Sequence, residues 1–140
     1  GFQIDPNQFC DCPDNFIIQQ SVPQQILLKH VDLFITHAGM NSVNEAVCNG
    51  VPMLMFPHQF EQYLIAKKIE KMGIGRLMSI KKMTPDILYN LVHELINDSK
   101  FKERAVKYKA LFSEEEKIAH VKAADEIEGY IRRQKDGLCS

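Results

Sequence analysis

Apolar residues in this chain fall into short continuous runs separated by stripes of helical spacing. Asn15 to Gln19, Asp32 to Thr36 and Pro52 to Phe56 have the length and content of buried strands. Between them, Pro23 to Lys29 predicts a brief helix with Pro at its first turn, and Asn41 to Asn49 predicts a helix ended by Gly50. Phe60 to Met72 reads as a helix closed by Gly73, and a further short strand is expected near Arg76 to Ser79. Thr84 then opens a helix with Pro85 at its first position and Asp86 in its first turn, running to about Asn97. The last third is expected to be helical throughout. Ser99 caps one segment there, and Ser113-Glu114-Glu115-Glu116 has the form of a capping box before a final helix toward Gln134. Strands alternating with helices predict an α/β fold built on a parallel sheet with flanking helices and a helical C-terminal tail. No repeat, low-complexity linker or second domain interrupts residues 1–140.

Composition narrows the class without changing it. With 140 residues, 45% hydrophobic and 25% charged, the chain suits one soluble globular domain with an adequate core. A formal charge of −1, with basic residues scattered among acidic ones, argues against a nucleic-acid partner, whose phosphate backbone needs clustered positive charge. Lys67-Lys68 and Lys81-Lys82 read as solvated faces. The longest apolar runs are too short for a membrane span and no signal peptide opens the chain, so a cytoplasmic location is expected. Of the four cysteines, Cys10 and Cys12 are too tightly spaced for the usual zinc pair. Cys48 is expected to be a small core residue and Cys139 a tail thiol; no metal site is expected.

The chemistry concentrates in Phe34-Ile35-Thr36-His37-Ala38-Gly39-Met40-Asn41-Ser42-Val43-Asn44-Glu45 and in Pro57-His58-Gln59-Phe60-Glu61-Gln62. In the first stretch an apolar strand enters a small-residue turn carrying His37, Gly39, Asn41 and Ser42 where a helix begins. Free backbone N–H groups and short polar side chains then converge on one point, the arrangement that holds a phosphate. Glu45 lies one helical turn beyond Asn41, on the same face, where a carboxylate accepts hydrogen bonds from sugar hydroxyls. The turns after the second and third apolar runs belong to the carboxyl edge of a parallel sheet, where open α/β folds bind ligands. His37, Asn41, Ser42, Glu45, Glu61 and Gln62 are therefore expected to share one rim. Plainer roles compete: Asn41 or Ser42 as an N-cap, Glu45 as a solvated helix residue, Glu61 and Gln62 as groups that offset a helix dipole.

These residues resemble the donor-binding signature of UDP-glycosyltransferases, particularly the bacterial macrolide-type branch. The signature runs from W-x-P-Q through H-x-G-x-N-S-x-x-E to G-V-P and an acidic residue followed by Gln. Here the pieces read Ser21-Val22-Pro23-Gln24, His37 to Glu45, Gly50-Val51-Pro52 and Glu61-Gln62. The resemblance implies a partial C-terminal, Rossmann-like domain of a two-domain glycosyltransferase B fold, incomplete at its N-terminus and lacking the acceptor domain. It implies that Gln24 meets the uracil or ribose, His37 the pyrophosphate, Asn41 and Ser42 the phosphates, Glu45 the ribose hydroxyls, and Glu61 with Gln62 the donor sugar. The implied partners are a UDP-sugar, as donor substrate rather than resident cofactor, and a small-molecule acceptor held by the missing domain. The implied reaction is inverting transfer of a hexosyl group without a metal, with the general base in the missing domain. None of His30, His58, His93 and His120 has a context that recommends it as that base, and the chain alone is expected to be inactive. One position departs from the signature: Ser21 stands where the family has a Trp to stack on uracil, and Phe16 or Phe2 are the candidate substitutes. Two other readings of the same residues are a non-catalytic nucleotide-sugar-binding subunit that needs a partner chain, and a fragment of a UDP-sugar epimerase.

Overall fold

The computed structural model describes residues 12–115. Three strands, β1 (Phe34–Thr36), β2 (Met53–Met55) and β3 (Gly75–Leu77), form one parallel sheet in the order β1-β2-β3. Phe34 pairs with Met53, and Met53 with Gly75. Parallel neighbours require a crossover, and helices supply it. After α1 (Gln24–Leu27), α2 (Met40–Asn49) carries the chain from β1 to β2, and α3 (Phe60–Met72) carries it from β2 to β3. A 3-10 turn, Ile80–Lys82, leads to α4 (Pro85–Asn97) and then to α5, helical over residues 99–115. The expected α/β class with a parallel sheet and flanking helices is what the chain adopts.

The sheet is buried on both faces, which is why its central strand is apolar at every position. Met53 and Met55 point to one side and pack with Val43, Ala46 and Val47 of α2 and with Ala66 and Ile69 of α3. Leu54 points to the other and packs with Leu95 of α4 and Phe101 of α5. Helix α5 serves both cores, since its Ala105 belongs to the first cluster. Its Lys102 Nζ donates to the Gly50 carbonyl at 3.1 Å, a cation at the carbonyl end of α2 where the helix dipole favours one. Gly50 ends α2 in the left-handed region at φ 66°. Gly75 is demanded by contact instead: a Cβ there would stand 2.4 Å from the Met53 carbonyl oxygen of the neighbouring strand. Arg76 of β3 pairs with Glu94 of α4 and lies over the Phe101 ring, 4.8 Å from its centroid, tying the sheet to both C-terminal helices.

Several local expectations differ from the structure. Asn15 to Gln19 forms no strand; Phe16 is 62% and Ile17 88% exposed, and a strand needs a neighbour to take its backbone hydrogen bonds. β1 and β2 are shorter than expected by residues at their ends, and β3 begins one residue earlier and ends two residues earlier than the expected strand. Asp98, not Ser99, caps α5, its Oδ1 accepting from Lys100 N at 3.1 Å. No cap interrupts the chain at Ser113, because α5 runs through it. Cys48 is exposed rather than in the core, since it lies off the Val43, Ala46, Val47 stripe that α2 buries. Cys10, Cys139, Phe2 and the helix expected toward Gln134 fall outside the described residues.

Candidate functional site

Between β1 and α2 the chain turns within His37-Ala38-Gly39. Ala38 has φ 66°, a left-handed value uncommon for a residue with a Cβ, and its N–H donates to the buried Thr36 Oγ1 at 3.3 Å. Gly39 occupies the N-cap of α2 in an extended conformation, and no side chain caps the helix. The internal ladder begins with Val43 N donating to Gly39 O at 3.0 Å. The N–H groups of Met40, Asn41 and Ser42 thus form the positive end of a ten-residue helix. The His37 ring folds over Gly39: a Cβ added at Gly39 would lie 2.7 Å from His37 Nε2. The glycine therefore makes the space in which the imidazole sits beside the helix N-terminus.

Three open depressions run into one another along the carboxyl edge of the sheet. One, about 370 Å³, is lined by Gln24, Thr36, His37, Ser42, Phe56 and His58, with Phe34 and Ile35 in its wall. The next is lined by His37, Gly39, Met40, Asn41 and Ser42. A third continues from Gly39 and Met40 to Gln59, Glu61, Gln62, Leu64 and Ile65. Through these shared residues the structure brings Gln24, His37, Gly39, Asn41, Ser42, Glu61 and Gln62 onto a single rim, His37 being exposed on it. Glu45 joins through hydrogen bonds: Gln24 Nε2 donates to Glu45 Oε2 at 2.7 Å and to Ser42 Oγ at 3.2 Å.

Neither Asn41 nor Ser42 is the N-cap, so the capping role considered for them falls to Gly39. Gln62 does take a capping role: its Oε1 accepts from His58 N at 2.9 Å and from Gln59 N at 3.2 Å, fixing the start of α3. Its amide NH₂ is a further donor on a residue that lines the third depression. Glu61 is exposed in the first turn of α3, where its charge also suits the dipole. Two residues escaped the sequence reading. Gln25 Nε2 donates to Glu45 Oε1 at 3.3 Å, so both carboxylate oxygens are held by amides from α1. His58 lines the same depression as His37; the available signal was its position in the turn after the apolar run of β2, two residues beyond Phe56, on the same sheet edge. Among the described residues no cluster of three His, Cys, Asp or Glu is disposed to hold a metal ion, and no helix is long and apolar enough to cross a membrane.

Known proteins resemble this chain closely. A model of the family described as UDP-glucoronosyl and UDP-glucosyl transferase matches residues 6–124. The NDP-glycosyltransferase YjiC of Bacillus subtilis is 35% identical over 133 residues, which cover 95% of this chain and 33% of that enzyme. The calicheamicin glycosyltransferase CalG4 superposes with a TM-score of 0.76 at 28% identity, over 95% of this chain and 34% of its own. A UDP-glucose: anthocyanidin 3-O-glucosyltransferase solved in complex with UDP superposes at 0.64 with 31% identity, over 68% of this chain and 23% of its own. The chain therefore spans about a third of the length of the first two.

Proposed function

The chain belongs to the UDP-glucoronosyl and UDP-glucosyl transferase family, and from that premise we propose that it is the donor-binding part of an inverting glycosyltransferase that uses a UDP-sugar. The observation that carries this reading is the uncapped N-terminus of α2 with the His37 ring folded over Gly39 beside it. A diphosphate seated there accepts hydrogen bonds from the N–H groups of Asn41 and Ser42, from the Ser42 hydroxyl and from the imidazole.

The rest of the rim sorts around that anchor. Gln24 and Glu45 already hydrogen-bond to each other, and the ribose hydroxyls insert at this pair, with Glu45 as acceptor. On the other side of the α2 N-terminus, the Glu61 carboxylate and the Gln62 amide take hydroxyls of the donor hexose. An acceptor oxygen attacks the anomeric carbon from the face opposite the diphosphate, so the bond to the new oxygen forms as the bond to the leaving phosphate breaks, with inversion. Negative charge that grows on the leaving diphosphate meets N–H groups and an imidazole already oriented toward it, which lowers the barrier without reorganisation. The acceptor and the base that deprotonates it belong to a further domain, consistent with the chain's spanning 33% of the Bacillus enzyme.

Titration calorimetry with UDP, pyrophosphate and uridine tests the anchor. Pyrophosphate is expected to retain most of the UDP affinity and uridine to bind barely at all, because Ser21 offers no aromatic face to the base. Uridine binding as tightly as UDP would overturn the phosphate assignment.

A further inference from the structure

The sheet brings a second imidazole to the depression that His37 lines. His37 directly follows β1 and His58 comes three residues after the end of β2, and because β1 and β2 are adjacent parallel strands both residues lie in turns that leave the same edge. His58 is exposed and shares its depression with His37, Ser42 and Gln24. Its backbone is fixed: His58 N donates to Gln62 Oε1 at 2.9 Å, and that same oxygen holds Gln59 N at the start of α3. The walls beside it are Phe34, Ile35 and Phe56, so the polar groups in this depression are few: Gln24, Thr36, His37, Ser42 and His58. Thr36 Oγ1 already accepts from Ala38 N, and Gln24 is engaged with Glu45 and Ser42. With the Gln24 amide hydrogens taken, the side-chain donors lining this depression are the Thr36 and Ser42 hydroxyls and the two imidazoles.

We propose that His58 is a second diphosphate-binding residue, closing on the donor from the β2 side while His37 and the α2 N-terminus hold it from the β1 side. The proposal rests on the donor-site reading above and adds a residue to it. An imidazole here, unlike an amide, can add positive charge as well as a donor where the leaving group becomes more negative.

The test uses the whole chain and two variants, His58→Ala and His58→Gln, with His37→Ala as reference. Each is titrated with inorganic pyrophosphate, UDP and uridine, and the imidazole signals of the wild-type chain are followed by NMR during the pyrophosphate titration. His58→Ala is expected to weaken pyrophosphate and UDP alike by roughly 10- to 150-fold, as loss of a charge-assisted hydrogen bond would. His58→Gln should recover part of that loss, uridine should be unaffected, and the His58 signals should move while those of the remote His93 on α4 stay. Pyrophosphate affinity within twofold of wild type in His58→Ala, with unmoved His58 signals and a weakened His37→Ala, would overturn this proposal and leave the donor site standing. Failure of the wild-type chain to bind either UDP or pyrophosphate would overturn both.

Discussion

Gly39→Ala separates the stability of the β1-α2 turn from its proposed task. Gly39 has φ −64° and ψ 140°, a conformation open to any residue, so an alanine fits the backbone as it stands. Its Cβ does not fit the His37 ring, whose Nε2 would be 2.7 Å away and Cδ2 3.5 Å. Because His37 is exposed, the ring swings aside at little cost. Replacing the glycine removes freedom from the unfolded chain, a gain of about 0.4–1 kcal/mol. An alanine N-cap is worse than glycine by about 0.5–1 kcal/mol, which offsets that gain. At roughly 3–4 °C per kcal/mol for a domain of 140 residues, the melting temperature should shift by no more than about 2 °C. Binding should respond quite differently. Taking the imidazole off the anion removes one charge-assisted hydrogen bond, about 1.5–3 kcal/mol, or roughly 10- to 150-fold in pyrophosphate affinity. Calorimetric titration beside a thermal melt reads both quantities, and Gly39→Ala combined with His37→Ala should lose little more than His37→Ala alone. Undiminished pyrophosphate binding by a folded Gly39→Ala chain would refute the reasoning, since the ring would then be idle at the phosphate.

Glu45→Ala should weaken UDP by about 1 kcal/mol and leave pyrophosphate nearly unchanged; equal losses for both ligands would mean that the carboxylate only supports α2 and α1. Ser21→Trp should tighten UDP by about 1 kcal/mol or more without changing pyrophosphate affinity, measured in the same titrations. Gly75→Ala should destabilise the chain by about 1–3 kcal/mol in a denaturant midpoint, because the new Cβ meets the Met53 carbonyl of a central strand, and backbone must move. The chain on its own should transfer no sugar to any acceptor above a matched blank, and product formation by the purified chain would contradict the need for a second domain.

Much of this architecture was legible because its signals are local. The all-apolar Met53-Leu54-Met55 run marks a strand covered on both faces, and Gly50 and Gly73 mark helix ends that only a left-handed residue closes cheaply. The rim was legible for a related reason: strand-end residues of a parallel sheet must share an edge, so His37, Asn41, Ser42, Glu61 and Gln62 come together. What escaped depends on neighbours distant in sequence. Asn15 to Gln19 has strand composition but no pairing partner among the described residues, and Cys48 has core chemistry but sits off the buried stripe of α2. Ser113 carries a start signal that the already running α5 overrides. Gln25 carries no distinctive pattern and His58 only its place in a turn at the strand-end edge, and folding sets one against Glu45 and the other in the depression that His37 lines.

Ala38 illustrates how narrowly variation is admitted at the β1-α2 turn. Its φ of 66° suits glycine, asparagine or aspartate, yet the residue is fully buried in the close-packed core, where a longer polar side chain would be without water. Conformation and burial together favour small residues such as alanine and glycine at this site, and the Thr36 hydroxyl that holds its N–H leaves Thr36 exchangeable mainly with serine. Mutational drift in this protein is therefore expected to pass freely over neighbours such as the exposed Asn44 and to stall at two buried positions, of which Ala38 lines none of the three depressions.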